Sequence, residues 1–131
     1  MPISIPTIIA TGLFFLFVFL SGYWLTKMGK PYGSFPFNIH KLIGLAAGIF
    51  LIVTVYRRIR VAPLDSREIA VLAATVLIFI LTVIAGGLLS AEDSGSLKNL
   101  PQPAMTAISV AHKVFPFLAL LSLAATLFLL K

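Results

Sequence analysis

Four stretches of the chain are apolar almost without interruption, approximately Ile5 to Leu25, Phe37 to Tyr56, Ile69 to Leu89 and Met105 to Leu130. A hydrocarbon layer roughly 30 Å thick takes about 20 helical residues to cross, so each stretch is long enough to span it. The runs are continuous and lack the in-out alternation of a membrane barrel strand, and strands in lipid need a closed barrel to pair their backbone. The pattern predicts an all-α membrane protein, a four-transmembrane-helix up-down bundle forming one domain over residues 1–131.

The polar punctuation sets the expected ends. Helix one, rich in Phe14, Phe15, Phe17 and Phe19, is expected to stop at Ser21-Gly22-Tyr23-Trp24, with the aromatic pair at interface depth. An outer loop from Lys27 to Phe35 contains Gly29, Pro31 and Gly33, and Ser34 before Pro36 starts helix two. After Pro63, Asp65 or Ser66 caps helix three, with Glu68 in its first turn, and Gly86-Gly87 is expected to end it. A longer outer loop, Ser90 to Pro103, precedes helix four. The first run has no basic residue before it and no small-residue cleavage site after it, so it is expected to be retained, with the mature protein beginning near Met1.

The two halves repeat. A shift of 64 positions carries Ala10, Thr11, Leu13, Phe15, Gly22 and Leu25 onto Ala74, Thr75, Leu77, Phe79, Gly86 and Leu89. A shift of 72 carries His40-Lys41, Ala47, Leu51 and Thr54 onto His112-Lys113, Ala119, Leu123 and Thr126. Leucines match by chance in such segments, whereas the threonine, glycine and His-Lys matches are informative. They predict two helical hairpins, about 5–58 and 67–131, related by a pseudo-twofold axis along the membrane normal.

Charge adds an orientation. Arg57, Arg58, Arg60 and Arg67 fall between helices two and three and Lys131 ends the chain, whereas the opposite loops carry Lys27, Lys30 and Lys98 with Glu92 and Asp93. The positive-inside bias then predicts cytoplasmic termini in a multi-pass protein of the inner cell membrane. The net charge of +6 is spread over membrane-flanking loops, so no nucleic-acid partner is expected and the lipid bilayer is. With no cysteine, disulfides, iron–sulfur clusters, thiol chemistry and covalent haem attachment are excluded.

The candidate chemistry rests on the only two histidines, His40 and His112, each followed by lysine and each taken to open an apolar helix. In an up-down bundle helices two and four run the same way, so both rings are expected to enter from the outer side and face each other. His40 lies 17 residues before Arg57 and His112 lies 19 before Lys131, a depth mismatch of about 3 Å. Ionisable groups inside membranes are costly and tend to be functional, and this arrangement predicts one non-covalent haem b with His40 and His112 as axial ligands. Gly44, Ala47 and Gly48 remove bulk from the face of helix two below the ring, and Ala119 does so on helix four, where Pro116 also frees the carbonyl of residue 112. Lys41 and Lys113 are expected to snorkel outward, toward haem propionates or lipid phosphates.

The segment Ile39-His40-Lys41-Leu42-Ile43-Gly44, leading to Val55-Tyr56-Arg57-Arg58, resembles the ligand-bearing second helix of the bacterial cytochrome b561 type. That resemblance implies an axial-ligand role for His40; the partner His112 comes from the repeat. Those proteins hold two haems and take a ligand from helix one, which has no histidine here, so one haem is expected. With both axial positions filled, the expected role is electron transfer rather than catalysis by the chain alone, with a quinone or redox protein as partner, in a homo-oligomer or a respiratory-type complex. Zinc, wanting about four ligands, fits these residues less well. The alternatives are a haem-free structural or assembly subunit of a larger membrane complex and, more weakly, a small channel or transporter. A proton-coupled transporter is expected to carry a carboxylate within a helix, and this reading puts none of the four acids in one.

Overall fold

The computed structural model describes residues 4–129. The expected start near Met1, the end of helix four at Leu130 and the Lys131 charge lie outside the described residues. The chain is all-α, with α1 at Ile5–Met28, α2 at Ser34–Val61, α3 at Ser66–Asp93 and α4 at Gln102–Leu129, and no strand among the described residues. All four helices are long and apolar enough to cross a membrane, and the chain is a multi-pass membrane protein. Large apolar side chains such as Ile9, Leu45, Leu77 and Leu121 are exposed along them, as contact with lipid tails requires.

The chain divides into two compact units, the first holding α1 and α2, the second being Ser66–Thr126, α3 and nearly all of α4. Each is an antiparallel hairpin. In the first, the Phe14 and Phe50 rings lie 5.1 Å apart between centroids, and Ser21 meets His40. In the second, Thr75 Oγ1 lies 2.6 Å from Ser122 Oγ and 3.3 Å from Thr126 Oγ1, while His112 meets Thr82. Buried positions fall on equivalent residues of the two hairpins: Thr11 and Thr75, Ser21 and Ala85, Ala47 and Ala119, Leu51 and Leu123.

The helices overrun their apolar stretches, and three expected boundaries need correction. Ser21-Gly22-Tyr23-Trp24 does not end α1, which continues to Met28 and is capped by Gly29 at φ 70°, its N–H bonded to the Leu25 carbonyl. Gly86-Gly87 does not end α3 either; the helix runs to Asp93 and closes on Gly95 at φ 77°. There Gly95 N–H bonds Glu92 O and Ser96 N–H bonds Ala91 O, the paired bonds of a glycine-terminated helix end. The physical reason is that lipid offers no hydrogen-bond partner, so a glycine at membrane depth stays helical. The arginines are also not in a loop: Arg57, Arg58 and Arg60 lie in the last turns of α2 and Arg67 follows the first residue of α3. Cations at a helix C-terminus are favoured by the macrodipole, and Arg58 Nη1 donates to Ala62 O at 3.1 Å. Glu68 in the first turn of α3, and Glu92 and Asp93 in its last, are likewise helical, although none stands in the apolar interior.

The starts follow capping chemistry. Ser4 caps α1, its hydroxyl accepting from Thr7 N–H, with proline in the first turn. Gly33 precedes α2, and Pro36 sits in its first turn. Asp65 immediately precedes α3 and Glu68 faces its positive end, as the sequence suggested.

Candidate ligand-binding histidines

Contrary to the sequence expectation, neither histidine opens its helix; His40 is the seventh residue of α2 and His112 the eleventh of α4. The helices start earlier because polar and proline-bearing residues join their first turns. Each ring is half-buried in its own hairpin and meets the preceding helix at matching height, beside Gly22 in α1 and Gly86 in α3. A Cβ on Gly22 would stand 3.2 Å from His40 Cε1, and one on Gly86 only 2.7 Å from His112 Cε1. Both glycines are therefore notches that admit an imidazole against helix backbone.

Each ring is held through Nδ1 by the preceding helix. His112 Nδ1 lies 3.0 Å from the Thr82 carbonyl oxygen. A carbonyl only accepts, so Nδ1 carries the proton. His40 Nδ1 lies 2.8 Å from Ser21 Oγ. The Ser21 hydroxyl stands between this ring and its own helix, within hydrogen-bond reach of Val18 O at 3.0 Å. Both rings are thus anchored through Nδ1, the kind of second contact that orients a metal-binding histidine. Among the described residues no three His, Cys, Asp or Glu side chains group to hold a metal ion.

The other predicted positions divide. Around Gly44 there is open space, with no atom within 4 Å of where its Cβ would be. Ala47, Gly48 and Ala119 are buried. Gly44, four residues from His40, thus keeps open space beside it on α2. Lys41 extends toward the N-terminus of α2, as expected of a snorkelling side chain, and its Nζ stands 4.1 Å from the centre of the Phe37 ring. Tyr32 stacks on that ring at 5.8 Å. Lys113 is exposed, and Pro116 lies inside α4.

Sequence reasoning missed Ser21, the Val18 and Thr82 carbonyls, and the hydroxyl cluster of Thr75, Ser122 and Thr126. The available signal was the Gly22 and Gly86 match, whose spacing from the histidines is consistent with antiparallel contact in each hairpin. No family model, curated protein or solved structure matches the chain.

Proposed function

We propose that this chain is a membrane b-type cytochrome holding one non-covalent haem with His40 and His112 as axial ligands. The observation that carries the reading is the shared anchoring: in both hairpins a glycine notch admits the ring and a group on the preceding helix, Ser21 Oγ or Thr82 O, holds its Nδ1, so Nε2 would be the ligating nitrogen. When bound, haem supplies a one-electron couple, and with both axial positions taken by imidazole the role is electron transfer to or from a quinone or redox protein. Gly44 would give the macrocycle room, and Lys41 and Lys113, each next to a ligand in the chain, would pair with its propionates. The resemblance of α2 to the bacterial cytochrome b561 type supports His40 as a ligand. The proposed setting is the inner cell membrane, with cytoplasmic termini and the haem near the outer face.

The purified protein is expected to show a Soret band and, on reduction, sharp α and β bands. A colourless protein from cells supplied with ample haem overturns the reading. His40→Ala and His112→Ala should each abolish six-coordinate low-spin haem, and retention of that spectrum in either variant removes the pairing.

A second reading has a specific observation behind it. The same histidine bonds join the helices of each hairpin, and interhelical hydrogen bonds in membranes contribute about 0.6 kcal/mol on average without any cofactor. A haem-free structural or assembly subunit would use them only in this way, and the colour of the protein separates the two.

A further inference from the structure

The two histidine sites break the repeat at one atom. Val18 is the equivalent of Thr82 and Gly22 of Gly86, and in both hairpins the carbonyl four residues before the glycine terminates the hydrogen-bond chain from Nδ1. In the second hairpin the ring reaches that carbonyl directly. In the first, the Ser21 hydroxyl is interposed, 3.0 Å from Val18 O and 2.8 Å from His40 Nδ1. The residue equivalent to Ser21 is Ala85, buried to the same 6% exposure but without a hydroxyl. The ring distances agree with the insertion, because the directly bonded His112 lies closer to its glycine notch than His40 does to its own.

We propose that Ser21 is a positioning residue that makes the two ligand imidazoles inequivalent, anchoring His40 through a hydroxyl where His112 is anchored on backbone. The proposal rests on the haem reading for its consequence, though not for its geometry. With Nε2 on the iron, His40 Nδ1 carries the ring proton and Ser21 accepts it; such an acceptor strengthens Nε2 as a donor, and a stronger donor favours the oxidised, more positive iron. Removing the hydroxyl from Ser21 therefore weakens His40 as a donor and raises the midpoint potential. A carbonyl contact for His40 would require the ring to move past the Ser21 position and crowd Gly22.

The test uses the full chain in detergent and two readouts. In haem-free protein with 15N-labelled histidine, two Nδ1–H signals are expected. Ser21→Ala should shift or lose that of His40 while leaving that of His112 in place, Ser21→Thr should restore it, and Ala85→Ser should move only that of His112. In haem-loaded protein, Ser21→Ala should raise the midpoint while the low-spin spectrum persists, and Ser21→Thr should return it toward the original value. His40 ring signals unchanged by Ser21→Ala in haem-free protein overturn the proposal whatever the haem does. Ring signals that move as expected in a protein that binds no haem overturn the cytochrome reading and the ligand role of Ser21, leaving its hydrogen bond. A midpoint unmoved in a loaded protein whose ring signals do move overturns the tuning role alone.

Discussion

A helical carbonyl has a second lone pair beyond the one its own helix uses, and a side chain from a neighbouring helix reaches it only where nothing stands in the way. The N–H that bonds the Thr82 carbonyl within α3 belongs to the residue four further on, which is Gly86, and the corresponding residue for Val18 is Gly22. Glycine there clears the path for the imidazole. The two notches are not equally tight. A methyl on Gly86 would lie 2.7 Å from His112 Cε1 and 3.2 Å from Nδ1, so the ring must leave, whereas one on Gly22 would lie 3.2 Å and 3.7 Å from the same atoms of His40 and needs only a few tenths of an ångström. Gly86→Ala should therefore destabilise the protein by about 1–3 kcal/mol, the range for overpacking a well-filled site, and Gly22→Ala by clearly less. Thermal unfolding in detergent, read together with the Nδ1–H signal of each histidine, checks the order; equal losses would mean that the notches do not position the rings.

At the scale of the helix, the balance between local propensity and solvent decides the ends. Ser21-Gly22 and Gly86-Gly87 carry residues that stop helices in water, yet α1 and α3 pass through both, since an unpaired backbone group in lipid costs several kcal/mol and a mid-helix glycine only about 1 kcal/mol relative to alanine. The existence and type of all four helices were legible because an apolar run of membrane length admits little else. The ends were not, because the same glycine is a terminator at Gly95 and a packing notch at Gly86, and only depth distinguishes them. Thr11, Thr75 and Thr126 were visible as repeat matches, but not that Thr75 would be buried at 1% exposure against Ser122 and Thr126, since pairing across helices depends on rotation that a repeat does not specify. Helix-end chemistry is testable at α3. Gly95→Ala forces a Cβ into the left-handed region and should cost about 1–2 kcal/mol, seen as faster amide exchange at residues 94–96 while exchange in the apolar part of α3 stays unchanged. Faster exchange along the whole helix would show that Gly95 holds more than its own end.

Over the whole chain, charge gathers at one class of helix end. Arg57, Arg58 and Arg60 close α2 and Arg67 opens α3, with only residues 62–65 between these helices. The other connections have Lys27, Lys30 and Lys98 in or beside them, the last offset by Glu92 and Asp93 at the end of α3. Arginines and lysines within about 15–20 residues of a span resist translocation, whereas acids contribute little, so the four arginines on the short connection outweigh the three lysines on the other side. A reporter inserted near Pro63 should read as cytoplasmic and one near Gly95 as external, and replacing Arg57, Arg60 and Arg67 together by glutamine should give a mixed signal at both positions. The histidines inherit the result. Gly22 lies six residues before the end of α1 and Gly86 seven before the end of α3, about 9–10 Å along each helix, so the His40 ring belongs to the end of its hairpin next to the α1–α2 connection and the His112 ring to the end of its own next to the Gly95 connection. External accessibility at Gly95 puts the proposed haem in the outer half, within reach of a partner from that side. The opposite pair of reporter signals would move the same ligands to the cytoplasmic half and reverse the side from which electrons are exchanged, without altering a single contact around His40 or His112.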